Sequence, residues 1–211
     1  MMARDEKTLT DKEKKRLEKT NKIIADLEKK GYKKVDLTTS VTKANIYAIV
    51  TSLPFILIFV GLYLLVNRYI TIEIVSPLLW LLFCVVYLVA IVVHELIHGI
   101  TFSIFAKNHW KDIDFGIVWE MLTPYCTCIC PINKIQYILS MLMPGMVLGV
   151  IPCIISIFLS SAILLLFGLI MILGAGGDLL IFYMIVRHKS KKEESLYLDH
   201  PTEVGVILLE K

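Results

Sequence analysis

Four apolar runs of membrane-crossing length constrain this chain more than any other feature. They cover about residues 45–66, 77–106, 135–158 and 161–186. A hydrocarbon core ~30 Å thick needs about 20 residues of helix, so each run can cross it. The expected fold class is mainly α: a polytopic membrane protein with four transmembrane helices. Apolar residues make up 56% of the chain, above the about 45–50% of soluble domains, which argues against an ordinary soluble enzyme. Pro54 marks a place for a kink in the first run, and Pro144-Gly145 and Pro152 interrupt the third. The connections 67–76 and 159–160 are short, whereas 28 residues, 107–134, separate the second and third runs.

Charge orients the spans. Residues 1–45 carry 13 Lys+Arg against 8 Asp+Glu, connection 107–134 carries three Lys+Arg, and the tail from Arg187 carries five. All three segments fall on one side of a four-span arrangement, so that side is expected to be cytoplasmic, with both termini on it. The expected division is a cytoplasmic N-terminal arm, 1–44, a four-span membrane domain, 45–187, and a cytoplasmic tail, 188–211. Within the arm, Thr10-Asp11-Lys12-Glu13 forms a capping-box pattern. Leu17, Ile24 and Leu27 recur at helical spacing, and Gly31 supplies a stop. A small amphipathic helix is expected over 11–30, with a short strand over 32–37. Its basic excess is suited to anionic lipid. The apolar stretch 204–209 is too short to span and reads as a strand packing with 32–37. The polar N-terminus lacks the apolar core of a signal peptide, so the first span is expected to act as the membrane signal.

The second span contains His94-Glu95-Leu96-Ile97-His98. Residues i and i+4 share a helix face, so His94 and His98 can present two imidazoles to one metal, with Glu95 beside them as a base. Three ionisable groups within five residues are costly in lipid and mark function. Zinc (Zn2+) suits such a pair, but a catalytic zinc takes a third protein ligand and keeps one position open. The candidate is Asp178, the acid within the fourth apolar stretch, in Gly174-Ala175-Gly176-Gly177-Asp178. His94 lies seventeen residues into its span and Asp178 seventeen into its own, so at ~1.5 Å per residue the two share one depth.

With His94-Glu95-Leu96-Ile97-His98-Gly99, the later Gly176-Gly177-Asp178 and the Pro144-Gly145 span between them, residues 77–187 resemble the zincin peptidase family of membrane proteins, related to the site-2 protease intramembrane zinc metalloproteases. The tail Asp199-His200-Pro201-Thr202-Glu203 also looks family-like. In site-2 proteases the distal Asp precedes a Gly; here Leu179 follows Asp178, which makes this a sister family. The resemblance implies His94, His98 and Asp178 on zinc, Glu95 as catalytic base, and hydrolysis of peptide bonds within the membrane.

Connection 107–134 holds two apolar stretches, 112–120 and 123–132, expected to pair as a β-hairpin between spans two and three. Non-helical backbone at membrane depth is tolerated where protein covers it or it lines a wet cavity. An exposed strand edge beside the metal would hold an extended peptide by main-chain bonds, giving Tyr125, Cys126, Thr127 and Cys128 as candidate substrate-binding residues. Cys126, Cys128 and Cys130 alternate and would share one strand face. They read as small buried residues, with a soft-metal or redox role as the alternative. His109, near Asp112 and Asp114, reads as a solvated loop histidine, His188 as an interface residue at the end of the fourth span, and His200 lies too far from the spans in sequence to support a role.

The leading functional reading is a zinc-dependent intramembrane endopeptidase cutting membrane-anchored proteins or peptides near the cytoplasmic face. The bilayer is its medium, and no nucleic-acid partner is expected. The alternatives are a non-catalytic zinc-stabilised membrane scaffold or regulator, which has no need of Glu95, and a small transporter, against which the absence of an internal repeat weighs.

Overall fold

In the computed structural model, which describes residues 10–70, 76–118, 123–190, 192 and 194–211, the apolar runs fold as long helices with apolar outer surfaces. Helix α1 (Asp11–Lys29) is followed by β1 (Lys33–Thr39). The long helices α2 (Val41–Asn67) and α3 (Pro77–Phe105) come next. A hairpin of β2 (Ile113–Val118) and β3 (Thr123–Cys128) leads through the two-residue β4 (Ile132–Asn133) into α4 (Lys134–Pro144). A π turn (Gly145–Val150) joins α4 to α5 (Ile151–Leu159) without a break in the helical path. Helices α6 (Ala162–Gly174) and α7 (Gly176–Arg187) precede β5 (Ser195–Asp199) and β6 (Val204–Glu210).

Helices α2, α3 and the continuous α4–α5 are 27, 29 and 26 residues long, or ~39–44 Å at 1.5 Å per residue. All three are long and apolar enough to cross a membrane, and α6–α7 adds a fourth if that pair is one span. The expected single fourth helix is instead broken at Ala175, with the two halves bent by 50°. The reason is local: Gly174, Gly176 and Gly177 surround the break, and glycine supports a helix poorly. A Cβ on Gly176 would stand 2.5 Å from the Ala48 carbonyl oxygen, so the break also lets α7 lie against α2. Leu65, Leu78 and Phe158 are among the most exposed large side chains, as lipid-facing residues would be.

Apart from the β2–β3 hairpin, the strands form one antiparallel sheet in the order β1-β6-β5-β4. Val35 pairs with Leu208, Tyr197 with Leu208, and Ile132 with Tyr197. The tail therefore pairs with β1 as expected, but as two strands rather than one, and it also reaches β4 at the start of α4. Strand β6 is buried on both faces. Val206 and Leu208 pack with Phe102, Tyr137 and Ile185 at the helix ends, while Ile207 and Leu209 pack with Ile24 and Leu27 of α1. Burial on both faces explains the unbroken apolar run in the sequence. Gly205 sits at φ +142°, and its neighbour on β1 is so close that a Cβ would lie 2.2 Å from the Leu37 carbonyl oxygen.

Helix α1 starts at the expected capping box, with the Thr10 and Glu13 side chains bonding each other's backbone amides, and ends before Gly31 at φ +92°. Its basic side chains meet connection 107–134 and the tail. Lys12 Nζ is 2.7 Å from Asp114, and Lys19 Nζ is 3.2 Å from the buried Asp112. Arg16 donates to the Pro201 carbonyl at 2.7 Å and lies over the Tyr125 ring at 5.0 Å. These contacts hold α1 against both the sheet and the hairpin.

Candidate metal centre

His94 and His98 lie one turn apart on α3, both buried, with ring centroids 4.9 Å apart. Asp178 comes in from the first turn of α7, three residues after the break. Its Oδ2 is 3.1 Å from His94 Nε2 and 3.3 Å from His98 Nε2. Ligand atoms held at ~2.0–2.1 Å around a tetrahedral zinc stand ~3.3 Å apart. The carboxylate oxygen stands at that spacing from both imidazole nitrogens, and the three ligand atoms all lie within 4.8 Å of one another. Among the described residues this is the one group of three or more His, Cys, Asp or Glu that could hold a metal.

The tautomer of His98 also fits a ligand role. Its Nδ1–H donates to the Ser140 carbonyl of α4 at 2.9 Å, which makes Nε2, the atom facing Asp178, the one available to a metal. Thr101 Oγ1 bonds the Ile97 and His98 carbonyls and stiffens the same turn. His98 stacks on Phe102, which packs against Tyr137. Three elements therefore define the centre: α3 supplies the imidazoles, α4 orients one of them, and the broken α6–α7 pair delivers the carboxylate.

Glu95 neighbours both imidazoles and takes a backbone hydrogen bond from Cys126 of β3. The hairpin lies directly on α3: a Cβ on Gly99 would stand 2.4 Å from the Phe115 ring and 3.1 Å from Trp110. In the β2–β3 register, Cys126 pairs with Phe115 and Cys128 with Ile113. The amides of Cys126 and Cys128 point away from β2, and both meet carboxylates: Glu95 for Cys126 and Asp199 for Cys128, the latter at 2.6 Å.

The four residues expected to hold substrate thus differ in placement. Cys126 touches the centre through its main chain. Thr127 is buried and bonds Asp199. Cys128 is buried in the core. Tyr125 lies across Gly116 beneath Arg16, on the α1 side. The three cysteines do not share one strand face, because β3 ends at Cys128 and Cys130 follows it. Burial pushes the thiols of Cys126, Cys128 and Cys130 up. A thiol held protonated is a poor soft-metal ligand and a poor redox nucleophile, which favours the packing role. His109 Nδ1 donates to the Ser103 carbonyl, His188 lies 3.7 Å from Glu210, and His200 accepts the Glu203 amide, so each serves local structure.

Asp199 escaped the sequence reading as a functional position. It accepts hydrogen bonds from the Tyr137 hydroxyl and the Cys128 amide. Burial holds its carboxyl above the usual range, against hydrogen bonds that favour the ionised form. Strand β5 of the tail is thereby tied both to the hairpin edge on Glu95 and to the helix that orients His98. The available signal was the family-like Asp199-His200-Pro201-Thr202-Glu203 stretch, which carried no geometry.

A family model described as putative zincin peptidase matches residues 87–192, half of the chain and the part that holds the whole centre. No curated protein and no solved structure matches the chain.

Proposed function

The chain belongs to the putative zincin peptidase family, and from that premise we propose that it is a zinc-dependent endopeptidase that cuts membrane-anchored proteins or peptides within the bilayer. The observation that carries this reading is the meeting, beside Glu95, of two imidazole nitrogens from a helix long enough to cross a membrane with one carboxylate oxygen from the bent α6–α7 pair. His94, His98 and Asp178 would hold the zinc. Bound zinc supplies Lewis acidity toward water and toward the scissile carbonyl.

The remaining work falls to the chain. Glu95 takes a proton from the attacking water and passes it to the leaving amine. Ser140, through its carbonyl, keeps the His98 ring in its ligand tautomer. The outer edge of β3 holds the substrate extended, and a substrate carbonyl takes over the Cys126 amide from Glu95, freeing the carboxylate for proton transfer. In this reading α6–α7 is one bent span, giving four spans. The Lys and Arg distribution supports a cytoplasmic position for both termini; in this reading the sheet is on that side and the centre in the inner half of the membrane.

Two measurements test the proposal. Metal analysis of detergent-purified protein is expected to give one zinc per chain in wild type and in Glu95→Gln, and little in Asp178→Ala; full zinc without Asp178 refutes the ligand set. Mapping of new protein N-termini in cells expressing wild type or Glu95→Gln is expected to reveal membrane-protein cleavages that need Glu95. A zinc-loaded wild type with no Glu95-dependent cleavage would support the scaffold reading instead.

A further inference from the structure

A cavity of about 320 Å³ lies between α2, the α4–π-turn segment and the α6–α7 break. Phe55, Met141, Met146, Val150, Ile172 and Phe182 supply apolar wall. The one ionisable residue in its lining is Asp178, whose carboxylate also faces both imidazoles. The cavity therefore ends at the candidate metal centre.

Two irregularities in the helices bound this space. One is the π turn Gly145–Val150 that follows Pro144; the other is the break at Ala175. They meet at the cavity wall, where a Cβ on Gly145 would come within 3.2 Å of the Ala175 Cβ. Protein interiors close voids of this size by repacking. Here two segments depart from regular α-helical bonding around the same void, and π turns inside helices recur at functional sites.

We infer that this cavity receives one large apolar side chain of the substrate, such as leucine, methionine or phenylalanine, beside the bond to be cut. The inference rests on the zinc peptidase reading above and adds a substrate class to it. About 320 Å³ is at the small end of ligand sites, which run from ~300 Å³ upward, so the space fits a side chain and not a helix. A charged side chain would enter without a partner and lose its hydration. Two methionines in the wall give it the adaptability to take several apolar shapes. The residue that fills it must be attached to a group at the centre, since the cavity and the centre share Asp178.

Zinc-directed probes test this without a known substrate. Glycine, leucine, phenylalanine and aspartate hydroxamates are titrated calorimetrically onto the zinc-loaded full-length protein, in wild type, Val150→Phe and Met146→Ala, with zinc content checked in each. The leucine and phenylalanine compounds are expected to bind at least ~10-fold tighter than the glycine one, with the aspartate compound weakest. Val150→Phe is expected to erase the gain and leave glycine hydroxamate unchanged. Met146→Ala, the milder change, is expected to shift preference from leucine toward phenylalanine. Equal binding of all four compounds, or a gain that survives in both variants, overturns the side-chain assignment while leaving the zinc reading intact. A protein that takes up no zinc when supplied with it, and binds no hydroxamate, overturns both. A lipid retained by wild type and lost from Val150→Phe, seen by mass spectrometry, makes the cavity a lipid site and also overturns the inference.

Discussion

Replacing Asp199 with alanine removes one carboxylate from the tail and is expected to loosen the hairpin edge that meets Glu95. Besides the Thr127 hydroxyl, two donors in residues with no exposed surface lose their partner: the Tyr137 hydroxyl and the Cys128 amide. A buried donor left unsatisfied costs about 1–3 kcal/mol, so the pair amounts to about 2–6 kcal/mol. The Tyr137 hydroxyl can rotate to a new acceptor, whereas the Cys128 amide is fixed by the β2–β3 ladder, so the amide's share is the firmer one. Each 1.4 kcal/mol is a factor of about ten in an equilibrium, so amides of residues 123–128 are expected to exchange with deuterium ~10–100-fold faster. Peptides from α2 are expected to stay unchanged. Asp199→Asn keeps an acceptor for one donor and is expected to show a smaller effect. Tyr137→Phe combined with Asp199→Ala is expected to cost less than the sum of the single changes, because the two share one bond. Hydrogen exchange with mass spectrometry in nanodiscs reads all four variants. Exchange over 123–128 within about twofold of wild type in Asp199→Ala would refute the claim that the tail supports the strand that meets Glu95.

Further outcomes follow from other contacts. Gly168→Ala places a methyl 2.5 Å from Cys153 Sγ and 2.8 Å from the Gly149 carbonyl oxygen, so it is expected to destabilise the bundle by about 1–3 kcal/mol, read as a lower midpoint of thermal unfolding in detergent. Gly99→Ala meets the end of the Phe115 ring instead, which can swing aside, so its expected cost is under about 1 kcal/mol with faster exchange confined to the hairpin. Burial opposes ionisation of Asp112, yet hydrogen bonds from Asn108 and Lys19 hold its carboxyl below the usual 3.8. Its stabilisation is therefore present above that value and lost as pH falls through the lower folded-state one. Proteolysis of the 108–118 region is expected to rise as pH drops below about 4, and Asp112→Asn is expected to flatten that dependence. Arg16→Lys keeps the charge but loses the planar fork on the Pro201 carbonyl and the Tyr125 ring, so α1 is expected to exchange faster while zinc content stays constant.

Much of the scaffold was legible in the sequence because the signals are local. Apolar runs of helical length became α2, α3 and α4–α5; the Thr10–Glu13 pattern became a capping box; the two short stretches of connection 107–134 became a hairpin. The i, i+4 spacing alone puts His94 and His98 on one helix face. Asp178 was also readable as the third donor, as the acid within the fourth apolar stretch, and it lies beside both imidazoles. What periodicity cannot encode is which partners meet across long separations. Ser140 orients His98 from 42 residues away, and Asp199 reaches Cys128 from 71 residues away. Those contacts exist because α4 crosses α3 and because β5 lies between β6 and β4, which packing decides. The bend at Ala175 was signalled by its glycines, but its angle, and the cavity it opens beside Asp178, arise only when α2 and the π turn close around it. Sequence alone determined the donor types and put the two imidazoles on one helix face. Tertiary structure decided their distances, their tautomer and the space beside them, because each depends on surfaces from several helices meeting at one place.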